Sequence, residues 1–186
     1  MAEEVCPWWV GYLLVSPLRR LLQKPEALLA PHVEEGMTVM DVGCAMGFFS
    51  LPLAELVGSE GRVVCVDLQE RMIRSLRKRA ARAGLEERIE MRVCRAEGLG
   101  TGDLEGAVDF ALAFAVVHEV PEQARLLAEI HGALRAGGRF LLAEPAGHVS
   151  DKNFAASIAA AEAAGLSVVD RPRIRMSHAV LLERGA

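Results

Sequence analysis

The segment Val39-Met40-Asp41-Val42-Gly43-Cys44-Ala45-Met46-Gly47-Phe48-Phe49 constrains the fold of this chain more than any other. It reads as a buried strand with an acid near its end, a turn of small residues, and the opening of a helix. In parallel α/β sheets ligands bind at the carboxyl ends of the strands, which is where Asp41 falls. Gly43, Ala45 and Gly47 let a ligand approach the backbone and leave the first amides of the helix available to it. A carboxylate in such a turn repels a pyrophosphate and suits a ligand that carries a cation. The spacing also departs from the dinucleotide fingerprint G-x-G-x-x-G, because Ala45 takes the middle position and Phe48 the third. A nicotinamide dehydrogenase is therefore disfavoured.

Strands and helices alternate along the rest of the chain, as an open α/β sheet requires. A helix is expected over 47–57, with Pro52 tolerated in its first turns. The second strand spans 61–67 and ends in Asp67. Met72, Ile73, Leu76, Ala80 and Ala83 then recur at helical spacing up to Gly84. A third strand is expected over 88–93, a glycine-rich loop over 98–106, a fourth strand over 108–114, and a helix over 121–134 opened by Pro121. Gly137-Gly138 should end that helix, with the fifth strand running from Arg139 to Glu144. Ser150 suits the cap of a helix over 151–164. Two last strands read over 166–170 and 179–183.

The first motif resembles that of the class I S-adenosylmethionine-dependent methyltransferases, which has the form V-L-D-V-G-C-G-x-G. Phe114-Ala115-Val116-Val117-His118-Glu119-Val120-Pro121 resembles the family stretch after the fourth strand, and Gly137-Gly138-Arg139-Phe140 resembles its turn before the fifth. The resemblance covers nearly the whole chain. It implies a three-layer α/β open sheet of about seven strands, mostly parallel with an antiparallel last strand, and helices on both faces. It implies S-adenosylmethionine as cofactor and S-adenosylhomocysteine as product. The binding residues it implies are Asp41, Gly43, Cys44, Ala45 and Gly47 in the first turn and Asp67 on the ribose hydroxyls, although Asp67 also precedes a helix and suits a cap. It further implies Leu68 and Met72 on the adenine, Ala96 and Glu97 after the third strand, and Phe114 and Ala115 after the fourth. Two positions depart from the family: Arg95 stands where Asp is commonest, and Ala45 replaces a glycine. The methyl of Ala45 fits if the backbone there needs no positive φ.

Methyl transfer from a sulfonium is an in-line displacement that needs alignment above all, and for some acceptors one base. His118 leads the candidates because it follows the fourth strand and titrates near neutrality. Glu119 beside it either orients the imidazole or faces solvent. His148, past the fifth strand on the same edge, is the next catalytic candidate; His32 and His131 have weaker cases. The N-P-P-Y or D-P-P-Y signature of amine-methylating enzymes is absent, and no acidic pair for magnesium stands around Asp109. The four cysteines, Cys6, Cys44, Cys65 and Cys94, show no metal-ligand spacing, so no metal is expected. The core resembles both the quinone-biosynthesis and arsenite-methyltransferase branches, the latter with Cys6 and Cys44 as only part of a thiol set.

With 186 residues, the chain is expected to be one domain, 1–186, with an N-terminal helical cap or lid over 1–36 and a cofactor-binding core over 37–186. Trp8, Trp9, Tyr12, Leu13, Leu14, Leu18, Leu21, Leu22, Leu28 and Leu29 give the first part an apolar face that either packs on the sheet or lids the pocket. The formal net charge of −4 gives no reason to expect nucleic acid or an anionic membrane. No apolar run approaches the length of a membrane span, and Glu3 and Glu4 argue against a signal peptide, so a cytoplasmic location is expected. Arg71, Arg74, Arg77, Lys78, Arg79 and Arg82 read as a solvated helix face. Arg171, Arg173 and Arg175 suit either salt bridges or an acidic partner. The expected function is methyl transfer to a small-molecule acceptor; the alternative is a non-catalytic S-adenosylmethionine-binding subunit that supports a partner protein. The oligomeric state is left open.

Overall fold

Strands covered on both faces are near-continuous apolar runs, and Val63 to Val66, Phe110 to Phe114 and Phe140 to Ala143 are such runs. The structure is a computed structural model that describes residues 23–185. Cys6 and the apolar segment with Trp8 and Trp9 lie outside the described residues. Among the described residues seven strands form one sheet, in the order 89–93, 62–67, 38–42, 108–114, 134–145, 177–184 and 166–170, and these residues divide into two compact units at Ala96/Glu97.

The first unit holds α1 (Pro25–Leu29), β1 (Thr38–Val42), α2 (Ser50–Leu56), β2 (Arg62–Asp67), α3 (Glu70–Ala83) and β3 (Ile89–Val93). The three strands are parallel, with Asp41 opposite Cys65 and Asp67 opposite Val93. Met72, Ile73, Leu76 and Ala80 bury one stripe of α3, and Gly84 caps its end in the left-handed conformation at φ 69°. Ala83, expected on that stripe, is exposed in the last turn. The helix expected from Gly47 starts instead at Ser50, because Gly47 has φ 81° and cannot continue a right-handed helix.

The second unit holds β4 (Val108–Phe114), α4 (Gln123–Ala133), β5 (Leu134–Pro145), α5 (Asp151–Ala163), β6 (Leu166–Asp170) and β7 (Ser177–Arg184). β5 runs parallel to β4, and β7 is antiparallel to both β5 and β6. Ser150 caps α5, its hydroxyl accepting from the Asn153 amide at 3.2 Å. Pro121 stands two residues ahead of α4 rather than opening it. Among the described residues, no helix is long and apolar enough to cross a membrane.

The role expected for Gly137-Gly138 is corrected. Leu134 leaves α4 directly in extended conformation, φ −64° and ψ 139°, and β5 begins there. The pairing register jumps from Val108 opposite Leu134 to Phe110 opposite Arg139, so the intervening residues bulge out of the strand. Gly137 has φ 70°, and a Cβ on Gly138 would lie 2.8 Å from the Arg135 carbonyl and 2.9 Å from that of Val108. The glycines therefore shape a bulge inside β5, not the end of a helix. Backbone cannot move aside as a side chain does, so Gly138→Ala should destabilise the protein by about 1–3 kcal/mol. Gly132→Ala, where a new Cβ meets nothing within 4 Å in α4, should gain up to about 1 kcal/mol. Denaturant unfolding of the two variants checks both signs.

Candidate functional site

The turn after β1 is built from left-handed residues: Gly43 at φ 69°, Ala45 at 47° and Gly47 at 81°. The amides of Gly43 and Cys44 both donate to the Val66 carbonyl, at 2.8 and 3.1 Å. Asp67, at the end of β2, closes the turn. Its Oδ2 accepts from the Ala45 amide and its Oδ1 from the Gln69 amide, both at 2.8 Å. Burial pushes the Asp67 carboxyl above its usual range, and the two amides pull it back. Gly47 sits so close to α3 that a Cβ there would lie 2.3 Å from Leu76 Cδ1. Arg79, expected on a solvated face, instead donates to the Met46 carbonyl and ties α3 to the turn.

Asp41 lies under this turn, 3% exposed, and accepts a 2.6 Å hydrogen bond from the fully buried Ser50 hydroxyl. Desolvation raises its carboxyl to about 7; Ser50 opposes the shift and the nearby Asp67 charge adds to it. Ser50 was not singled out by the sequence, where it resembles any helix-opening serine. Cys44 is buried as well, and burial together with the Cys65 thiol pushes its own thiol up. Leu68 is 41% exposed. Met72, expected beside it against an adenine, is 3% exposed on the core stripe of α3, so of the two only Leu68 offers surface. Ala96 and Glu97 are exposed. The condition set for the methyl of Ala45, a backbone without positive φ, is not met: the residue sits in the left-handed region, which carries a penalty of about 1–2 kcal/mol for a side chain.

In the second unit, Phe114 ends β4 buried, and the Ala115 amide donates to the Ala143 carbonyl at 2.8 Å with Ala115 at φ 60°. The chain then enters a single 3₁₀ turn, Val117–Glu119, which presents His118. The His118 side chain is 29% exposed, and its Nδ1 lies 2.5 Å from Oε2 of Glu144. The His118 amide donates to Oε1 of the same carboxylate at 3.1 Å. Glu144, at the end of β5 and 1% exposed, was missed by the sequence reading, which offered Glu119 as the residue to orient this ring. Its signal was available: an acid ending the apolar run Phe140-Leu141-Leu142-Ala143. His148 is exposed, with its amide bonded to the Pro145 carbonyl at 3.0 Å. Arg171, Arg173 and Arg175 are exposed and alternate with half-buried Pro172 and Ile174. None of the three forms an ion pair among the described residues, so they are not the salt bridges that one reading allowed.

Two measurements test this geometry. Replacing Ala45 by Gly removes the left-handed penalty but adds about 0.4–1 kcal/mol of unfolded-state entropy, so a net gain in thermal stability is expected. For Asp41, the folded carboxyl keeps its proton up to about pH 7, whereas an unfolded one loses it near 3.8. Folding thus takes up a proton between those values, and stability falls as pH rises from one to the other, then levels. Asp41→Asn should be more stable than the wild type at pH 8, with the gap closing towards pH 5. An equal gap at both pH values in urea melts would assign the proton elsewhere.

Comparison with known proteins identifies the family. Residues 33–172 match the family profile described as Methyltransferase domain. An arsenite methyltransferase from Halobacterium salinarum is 31% identical over 121 residues, 65% of this chain and 29% of that protein. The ubiquinone/menaquinone biosynthesis C-methyltransferase UbiE of Brucella canis is 32% identical over 119 residues, 63% of this chain and 43% of its own length. The chain thus matches less than half of the length of these curated relatives. A SAM-dependent methyltransferase structure from Aquifex aeolicus superposes with a TM-score of 0.85 at 23% identity, covering 96% of this chain and 99% of that one. The chain belongs to the methyltransferase-domain family, in the class I S-adenosylmethionine-dependent fold.

Proposed function

We propose that this protein binds S-adenosylmethionine in the Gly43–Gly47 turn and transfers its methyl group to a small-molecule acceptor. The observation that carries the reading is the turn itself, an acid-floored cradle of left-handed residues held by Asp67 at the carboxyl ends of β1 and β2. The donor set fits the cofactor's charge: a carboxyl that titrates near 7 gains a counter-ion when a cation approaches. S-adenosylmethionine, when bound, supplies an activated methyl on a sulfonium. Asp67, whose oxygens have acceptor capacity beyond their two amide bonds, is assigned the ribose hydroxyls. Leu68 is assigned the adenine face. Phe114 and Ala115 are assigned the methionine part of the cofactor, on the strength of the family stretch they resemble. His118 is assigned the base, with Glu119 and His148 as neighbouring candidates. The relatives named above act on arsenite or in quinone biosynthesis, which favours a small acceptor, and the net charge of −4 disfavours nucleic acid. Free thiols at Cys44 and Cys65 favour a reducing, cytoplasmic setting.

Calorimetric titration with S-adenosylmethionine and S-adenosylhomocysteine tests the cofactor assignment. Micromolar binding is expected, weakened roughly tenfold or more by Asp67→Ala, since a hydrogen bond to a charged group contributes about 1.5–3 kcal/mol. A folded Asp67→Ala with wild-type affinity would remove the ribose assignment, and no binding at all would remove the function. Product release across a panel of phenols, thiols, amines and arsenite then reads the transfer itself. Tight binding with no transfer to any acceptor would favour the non-catalytic subunit.

A further inference from the structure

We infer that Glu144 is the positioning residue for His118, holding its imidazole in the tautomer that carries hydrogen on Nδ1 and a lone pair on Nε2. The inference rests on the proposed function for its purpose, but its geometry lies wholly within the second unit. The carboxylate is buried at the end of β5, and both of its oxygens are turned to one residue. Oε1 accepts the His118 amide at 3.1 Å and Oε2 faces Nδ1 at 2.5 Å. The two contacts act together. The amide bond fixes the turn that carries the side chain, and the ring bond then fixes the rotation of the imidazole.

A carboxylate only accepts hydrogen bonds, so the nitrogen facing it must be the donor. In a neutral imidazole the other nitrogen is then the basic one. Nε2 takes the proton that an acceptor hydroxyl or amine loses during attack, and the buried carboxylate stabilises the imidazolium that forms. The proton passes from the ring to water once the product has left. Glu119, the sequence neighbour, is not needed for this task.

Glu144→Gln makes the inference testable at nearly constant shape. A glutamine amide has one acceptor oxygen and one donor NH₂. The His118 backbone amide can only donate, so it takes the oxygen. The NH₂ is left facing Nδ1, which must now accept, and the ring hydrogen moves to Nε2. Long-range ¹H–¹⁵N NMR of histidine-labelled protein at alkaline pH reads this directly, with the His118 signals identified by their loss in His118→Gln. The wild type should show a protonated Nδ1 and an unprotonated Nε2, and the variant the reverse. A wild-type ring protonated on Nε2 would overturn the inference even if the variant failed to fold. So would a folded variant that keeps the wild-type tautomer. Titration of both proteins with S-adenosylmethionine reads the other unit independently. Binding with the wrong tautomer removes only the role of Glu144, whereas the right tautomer without binding removes only the methyl-transfer reading.

Discussion

The hydrogen bonds of Asp67 hold together the part of the molecule on which everything else in the first unit depends. The turn after β1 places three residues in left-handed conformation within five positions, one of them an alanine. Such a turn has no regular ladder to support it. A carboxylate twenty-two residues downstream supplies the support, accepting from the Ala45 amide while it also accepts from Gln69 at the start of the path into α3. A charge-assisted bond contributes about 1.5–3 kcal/mol, against a left-handed penalty of about 1–2 kcal/mol at Ala45. The two are of comparable size, so the bond offsets the penalty that alanine carries at this position. The same contact orients Asp67, so the side chain that supports the turn is also the one proposed to meet the ribose.

Three acids lie at or near the ends of buried strands, and the fold gives each a different partner. Asp41 receives a serine hydroxyl, Asp67 two backbone amides, and Glu144 an imidazole with its backbone amide. A buried carboxyl without a donor is severely penalised, so each of these placements requires its partner to be present. The partners also set the chemistry. Asp41, with one donor and deep burial, has its carboxyl raised to about 7. Glu144 is committed to a single residue, with one oxygen on the His118 amide and the other on its ring. The first unit therefore carries two buried acids at its strand ends, and the second carries an imidazole oriented by a buried acid.

Arginine is used in the same position-dependent way. Arg79 lies in a run of basic residues on α3, yet its guanidinium reaches the turn carbonyl of Met46 while Arg74 pairs with Glu70 at 3.5 Å. Charge runs on a helix are read as solvated by default, and the default fails at half-buried Arg79, whose guanidinium bonds the turn. Gly137 and Gly138 were misread for a related reason. A glycine pair after a helical pattern normally marks a helix end, but here the extended backbone of Leu134 had already ended it, and the pair serves a bulge in pairing with β4.

The sequence by itself determined the alternation of elements, the buried strands, the cradle of small residues and the acids at 41 and 67. These are local properties: apolar runs, periodicities and turn residues act within a window of a few positions, and a window is enough to read them. It also determined that His118 follows β4, because strand and residue are adjacent in the chain. Only the tertiary structure decided what those residues meet. Ser50 beneath Asp41, Asp67 on the Ala45 amide, Arg79 on the Met46 carbonyl and Glu144 on the His118 ring each join positions between nine and thirty-three residues apart. The left-handed φ of Ala45 belongs with them, since nothing in an alanine demands it. Such contacts follow from how strands pair and helices cross over the sheet, and no local pattern in the chain encodes a partner at that distance.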